Sequence, residues 1–411
     1  MKEKLSKFSA ILYTPTLIYF TLFVVISLIA IASATPVARV QYRDGNFVLR
    51  QLIFFGVGAV AMISVLFFGV KRLRFIRWII YLIFLALLGI IFYFNSPPDY
   101  GPEWIRHING ATRWIDLEFI LLQPSEFMRI ALILVIADVI QKHNEKTPHE
   151  NRTLKSDFWL IIKALAIAIV PSFLIYDQPD SGITILILIT IAFMLLASGI
   201  KWIYIVVVAG VAVSFTYTFL ILARYYPDVL INTGIIQDYQ LDRFNGWFDP
   251  FGTISGDGRH LALGLIGMGS GGIFGNGFQS STIFFPEAHT DYIFAVIGMD
   301  FGMIGGVIVI GASLLFNFAI LNTAVLNRGH YNSHVCVGIF TSLMSQQFWN
   351  IGMTLGIIPI SGVTLPFISH GGSSVLACMI MLGIILSSHV EGRELNHSET
   401  TFREDIVYLP D

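Results

Sequence analysis

Residues 284–316 read FFPEAHTDYIFAVIGMDFGMIGGVIVIGASLLF. From Tyr292 to Phe316 the only charged side chain is Asp300, and the run is as long as the roughly 20 residues a helix needs to cross a bilayer. The stretch therefore reads as a membrane-spanning helix. Glu287, His289 and Asp291 crowd its lip. Charge beside a span needs a reason. Thr290 or Asp291 could cap the helix by accepting a bond from its first-turn amides. Alternatively, Asp291 is a partly desolvated carboxylate at the membrane surface, placed to act as a general base. The two roles are compatible, although a capping carboxylate is a weaker base.

Composition extends the membrane reading to the whole chain. Of 411 residues, 55% are hydrophobic and 13% charged, with a mean hydropathy of +0.73. Soluble domains carry about 25% charged residues. Apolar runs cover approximately 11–33, 51–70, 77–95, 124–140, 158–176, 182–200, 202–223, 292–321, 335–357 and 372–388. The expected fold is an all-α polytopic membrane protein of about ten transmembrane helices. The first run ends in Ala32-Ser33-Ala34, which resembles a signal-peptidase site, but it is too long for a signal segment and reads as an uncleaved span. Cys336 and Cys378 both fall inside apolar runs, which argues against a disulfide framework or a zinc site.

Cytoplasmic loops are enriched in Lys and Arg. With the N-terminus in the cytoplasm, all the lysines, from Lys2 to Lys201, fall on the inner side, as do Arg72, Arg74, Arg77 and Arg152. An even number of spans returns the C-terminus to that side. Residues 1–395 read as a single integral membrane domain and 396–411 as a short cytoplasmic tail. Three outer segments, about 96–123, 224–291 and 357–371, exceed simple turns, so a site held by the helical scaffold faces outward. Within the second, LALGLIGMGSGGIFGNGF (261–278) is apolar but too short and broken to span. It reads as a re-entrant or interfacial segment, its glycines allowing close backbone packing.

Five clusters could carry chemistry. The first is the lip of the eighth span. Glu287 and His289 could tune Asp291, bind a metal or face water, and Glu-x-His-x-Asp is a weak metal signal. The second opens the fourth span: Gln123, Glu126 and Arg129, with Glu126 and Arg129 three apart on one helix face. They could be a structural ion pair, since ionisable groups at membrane depth pair or line polar cavities. Arg113 and Trp114 stand just outside. The third is DQPDSGITI (177–185), where Asp180 could cap the next helix. The fourth is YQLDRFNGWFDP (239–250), where Arg243 could hold a phosphate or pair with Asp242 or Asp249. The fifth is PISGVTLPFISHGGSS (359–374), which includes Ser373 and whose glycines suit a close approach of backbone or ligand. Asp138 and Asp300 lie inside spans. They would be proton-path candidates in a transporter and paired structural groups otherwise.

Taken together, GATRWIDL, QPSEFMRI, QPDSG, YQLDRF, IGMGSGGIFGNG, PEAHTDYIFAVIG and TLPFISHGGSS resemble the SEDS family (shape, elongation, division and sporulation), the RodA, FtsW and SpoVE group, in family order over nearly the whole chain. The resemblance implies a ten-span, outward-facing peptidoglycan glycosyltransferase of the bacterial cytoplasmic membrane. Its substrate would be lipid II, the undecaprenyl-pyrophosphate-linked disaccharide-pentapeptide. The family's essential aspartate falls on Asp291, its QPSE glutamate on Glu126 with Arg129 three further on, its RW tryptophan on Trp114 and its QPD aspartate on Asp180. It implies a class B penicillin-binding protein as transpeptidase partner, alongside other cell-wall synthesis membrane proteins and no nucleic acid. Magnesium or manganese is a candidate cofactor. The chain departs from the pattern at Leu121, Ile283 and His370, and Ser361 leans toward the elongation-type RodA subgroup. The competing readings are a lipid II flippase, which should tolerate Asp291→Asn and depend on the mid-span acids, and a scaffold that only recruits the transpeptidase.

Overall fold

The computed structural model describes residues 15–41, 46–94, 102–108, 111–118, 120–233, 238–256, 258–280 and 283–407. Lys2, Lys4 and Lys7, used above to set the orientation, lie outside the described residues. Each of the ten apolar runs is a helix: α1 (Pro15–Gln41), α2 (Phe47–Phe68), α3 (Val70–Tyr93), α4 (Pro124–Lys146), α5 (Leu154–Asp177), α6 (Ser181–Ala197), α7 (Trp202–Tyr225), α11 (Ile293–Leu326), α12 (Tyr331–Thr354) and α13 (Gly372–Val407). The second outer segment supplies α8 (Pro227–Asn232), α9 (Asp238–Phe248) and α10 (Arg259–Gly271).

Among the described residues, seven helices are long and apolar enough to cross a membrane: α1, α2, α3, α5, α7, α11 and α13, the last over Gly372–Glu394. The other three runs are helical too: α6 is shorter, at 17 residues, while α4 and α12 are long but carry more polar side chains, most of them buried. Every residue of α4 from Pro124 to Asp138 is buried, which is why this helix carries no polar outer face. It can tolerate Glu126, Arg129 and Asp138 because they meet other helices rather than lipid. α12 likewise buries Thr341, Ser342, Ser345, Gln346, Gln347, Asn350 and Thr354. At 23 and 24 residues, α4 and α12 are each roughly 35 Å long, enough for the hydrocarbon core.

Several boundaries differ from the sequence reading. The third span was expected from about 77, but α3 begins at Val70, one residue after α2 ends at the Gly69 turn. Lys71, Arg72, Arg74 and Arg77 are thus helical rather than in a loop. The Glu391 carboxylate of α13 accepts the Val70 N–H (3.1 Å), which lets the helix start there. Between α4 and α5, a short 3₁₀ turn, His149–Asn151, leads into a Thr153/Ser156 capping box that opens α5. The last helix runs continuously past residue 395 to Val407. In the first outer segment, β1 (Ile105–Ile108), β2 (Ala111–Asp116) and β3 (Leu121–Leu122) form a small antiparallel sheet in that order.

The glycine-rich segment has a defined task. α11 is broken at Gly302 (φ 66°, ψ −162°). A break inside a membrane frees backbone groups that water cannot reach. Residues 272–277 satisfy them. Asn276 N–H donates to Met299 O (3.0 Å), Gly277 N–H to Asp300 O (3.0 Å), Met303 N–H to Gly272 O (2.9 Å) and Ile304 N–H to Ile273 O (3.2 Å). A Cβ on Gly275 would lie 2.2 Å from Asp300 O, so only glycine permits this approach. α10 returns alongside the N-terminal half of α11, so 261–278 is packed on protein. Beside the break, the buried Asp300 carboxylate accepts hydrogen bonds from Ser33 and from Ser280 (2.7 Å). Asp138 is held by three cations: Arg74 (2.7 Å), Arg77 (2.6 Å) and Lys142 (2.9 Å).

Candidate active site

Asp291 lies one residue before the N-cap of α11, which is Tyr292 and makes no side-chain cap bond. The capping reading therefore fails. Thr290 is also engaged elsewhere, donating to the Glu287 carboxylate (2.7 Å). What fixes Asp291 is the third outer segment and α12. Asn350 Nδ2 donates to both Asp291 O and Val363 O, each at 2.7 Å. Ser369 Oγ donates to Thr290 O (2.8 Å), and His370 N–H donates to His289 O (2.9 Å). Gly362, with φ at +70°, passes directly over the carboxylate: a Cβ there would stand 3.3 Å from Asp291 Oδ2.

The carboxylate is half-buried and surrounded by charge. Burial first, then the Glu287 carboxylate, push its pKa up to about 7 from 3.8, against the pull of Arg113 and Arg243 and with a smaller push from Asp180. Four candidate residues, from the first two outer segments and the turn at Asp180, thus converge electrostatically on Asp291. Arg243 is half-buried on α9.

A polar group extends from there into the bundle. Arg113 stacks over Trp114 (4.4 Å) and faces Asp180 (3.4 Å). Asp180 also accepts from Gln123 Nε2 (2.7 Å) and Ser125 Oγ (3.1 Å); it stands at the N-cap of α6 without making a cap bond, so that expectation too is replaced. Ser373 accepts the Gln123 N–H (2.9 Å) and donates to the Leu121 carbonyl, tying β3 and α4 to the start of α13. Below it, Glu126 and Arg129 form a buried pair (2.8 Å), and Arg129 also donates to Gln346 Oε1 (2.8 Å). The ion-pair reading of these two residues matches their geometry.

His289 goes elsewhere. Its ring packs on Phe47 (4.6 Å) and His370 (5.6 Å). Burial holds its pKa below the ordinary range, and burial with the neighbouring His289 and Arg50 takes His370 down to about 3, so the pair is neutral near pH 7. With its ring turned to Phe47 and His370, His289 does not join Glu287 and Asp291 in a ligand set. Among the described residues, no group of three or more His, Cys, Asp or Glu side chains could hold a metal. Two carboxylates flanked by two guanidiniums do not fit a resident divalent ion, and no step below is routed through one.

The positions that depart from the family pattern have roles in the frame. Leu121 contributes its carbonyl to Ser373, and His370 meets Gln51 Oε1 through Nδ1 (3.1 Å). Ile283 is half-buried against the core, and the backbone of Ser361 backs onto Gly182. Asn350, Gly362 and Gln51 were missed in the sequence. For Asn350 a signal existed, since Gln346, Gln347 and Asn350 interrupt an otherwise apolar run. Nothing local marked Gly362, which matters only because the fold brings it over Asp291.

The family model for FtsW, RodA and SpoVE, described as a cell cycle protein, matches residues 13–394. The chain belongs to this family. Curated FtsW/RodA/SpoVE relatives include the peptidoglycan glycosyltransferase MrdB of Escherichia coli, 33% identical over 293 residues, covering 70% of this chain and 74% of that one. The probable peptidoglycan glycosyltransferase FtsW of Coxiella burnetii is 31% identical over 371 residues, covering 88% and 91%. Among solved structures, a chain from a study of the structural coordination of polymerization and crosslinking by a peptidoglycan synthase complex superposes with a TM-score of 0.72 at 22% identity, covering 92% of this chain and 97% of that one. The rod shape determining protein RodA of Thermus thermophilus gives 0.61 at 22%, covering 91% and 95%. These likenesses establish the family and the multi-pass membrane fold.

Proposed function

We propose that this FtsW/RodA/SpoVE protein is a peptidoglycan glycosyltransferase that polymerises lipid II at the outer face of the bacterial cytoplasmic membrane, with both termini inside. The observation that carries the mechanism is the setting of Asp291: a half-buried carboxylate whose pKa lies at about 7, between Glu287 on one side and Arg113 and Arg243 on the other. A general base works best when its pKa is near the working pH. Asp291 takes the proton from the sugar 4-hydroxyl of the acceptor. That oxygen attacks the anomeric carbon of the donor, forming the β-1,4 bond. The bond from that carbon to the lipid pyrophosphate breaks, and the pyrophosphate leaves with the electron pair. Arg113 and Arg243 are the cations available to stabilise the leaving diphosphate. Asp180 and Gln123 position Arg113, and Glu126, Arg129 and Ser373 hold the floor beneath. Trp114 stacks under the Arg113 guanidinium.

The proposed transpeptidase partner is a class B penicillin-binding protein, a reading supported by the structural neighbour from a study of polymerization and crosslinking by a peptidoglycan synthase complex. The test is glycan-chain formation from lipid II by the purified protein, with and without that partner, beside Asp291→Asn. Polymer from the wild type and none from a folded variant supports this reading. Equal rates would move the base to Glu126 or Asp180, and translocation of lipid II by both forms without polymer would favour transport.

A further inference from the structure

At the far end of the bundle, three cations meet one acid. Asp138 is buried, yet Arg74, Arg77 and Lys142 all contact it, which leaves two positive charges uncompensated within this cluster. The surplus is not hidden: the side chains of Arg74 and Lys142 are 33% and 57% exposed. Arg77 Nε is buried and has no hydrogen-bond partner among the described residues, while its NH1 donates to the Arg74 carbonyl. Arg74 also lies over the Tyr331 ring (4.8 Å), which fixes where its guanidinium sits.

Depth identifies what could compensate that charge. Asp138 follows the outer end of α4 at Pro124 by 14 residues, about 21 Å along the helix axis. Asp138 is therefore in the far third of a hydrocarbon core about 30 Å thick, and Lys142, a turn further out, comes near its opposite edge. On α3, Lys71, Arg74, Phe75 and Trp78 follow three- and four-residue spacing and share a face. Lys71 is exposed, Phe75 is 85% exposed and Trp78 is 41% exposed. Basic groups beside exposed aromatic rings at the interfacial level match the two parts of a phospholipid, phosphate and acyl chain.

We propose that the Arg74–Arg77–Lys142 cluster, with Lys71 and Trp78, binds the headgroup of an anionic phospholipid of the leaflet at that end of the bundle. The lipid phosphate supplies the negative charge that Asp138 alone does not. The site lies on α3 and α4, away from Asp291, so its occupancy bears on how the central helix α4 is anchored rather than on the chemistry.

The test uses the full-length protein in nanodiscs of phosphatidylcholine with a minority of phosphatidylglycerol, counting retained lipids by native mass spectrometry. Wild type is expected to retain phosphatidylglycerol in preference to phosphatidylcholine. Arg74→Gln/Lys142→Gln leaves Asp138 its Arg77 partner but removes both surplus charges, so that preference should fall by on the order of tenfold. Asp138→Asn raises the surplus and should strengthen it. If the double variant melts early, the single variants, each leaving Asp138 two cations, should show intermediate losses. Equal retention of phosphatidylglycerol by wild type and variants overturns the proposal. So does complete displacement of the lipid by inorganic phosphate at matched ionic strength, which would mark a free-anion site instead.

Discussion

Asp291 draws its properties from neighbours distant in sequence, Arg113, Asp180 and Arg243, and from the nearby Glu287, and its behaviour with pH should show this. The deprotonated form is the base, so kcat should rise with pH through about 7 and level off above it. Glu287 is the largest charged contributor to the upward shift; Glu287→Gln should therefore move the midpoint of that profile to lower pH. A flat profile between pH 5 and 9 would remove Asp291 from the base role. The same shift has a stability consequence of definite sign. A carboxyl whose folded pKa is raised favours the folded state below its unfolded pKa, here 3.8, and loses that contribution as pH rises to about 7. Asp291→Asn should therefore melt above wild type at pH 8, and the gap should close as pH falls toward 4. Gly362→Ala makes a separate prediction. It places a methyl 3.3 Å from Asp291 Oδ2 on a backbone with φ of +70°, so kcat should drop while the bundle remains folded. A wild-type rate would mean that the loop over Asp291 is not its working position.

Elements decide where such residues stand. α12 delivers Asn350 to two carbonyls at once, at Asp291 and Val363. Asn350→Ala frees both segments, and since a displacement of about 1 Å can cost about a hundredfold in rate, activity should fall on that scale with lipid II affinity changed much less. α4 brings Arg129 to Glu126 in the bundle interior. Arg129→Met leaves a buried carboxylate unpaired and should destabilise the protein by about 3–5 kcal/mol, read as a fall in melting temperature in detergent. The helices were legible because apolar runs of span length have few alternatives. The Gly302 break was not, because a glycine in an apolar run looks the same in a straight helix. It becomes visible only when 272–277 is seen to occupy the freed backbone groups. The start of α3 was misplaced for a related reason. Lys71, Arg72, Arg74 and Arg77 look like loop charges until Asp138 and Glu391 are brought against that helix end.

For the whole molecule, the bundle divides polar burden from apolar surface. α4 and α12, which carry buried acids, amides and hydroxyls, are enclosed, while α7 buries only Ala223 among the side chains of its helix and packs chiefly on α8 and α9. The site was legible as a set of motifs, yet its convergence was not, since Arg113, Asp180, Arg243 and Asp291 are far apart in sequence. His289 is the opposite case: its nearness in sequence to Asp291 left tuning, metal binding and contact with water all open, whereas its ring is turned to Phe47 and His370. The two cysteines allow the orientation to be checked. Cys336 and Cys378 are both 0% exposed, inside α12 and α13. A membrane-impermeant maleimide should therefore leave the wild-type protein unlabelled in intact cells, and no native thiol has to be removed before reporter thiols are introduced. With that silent background, a single cysteine at Glu103 should be labelled from outside and one at Lys155 only after permeabilisation. The reverse pattern would turn the whole molecule over.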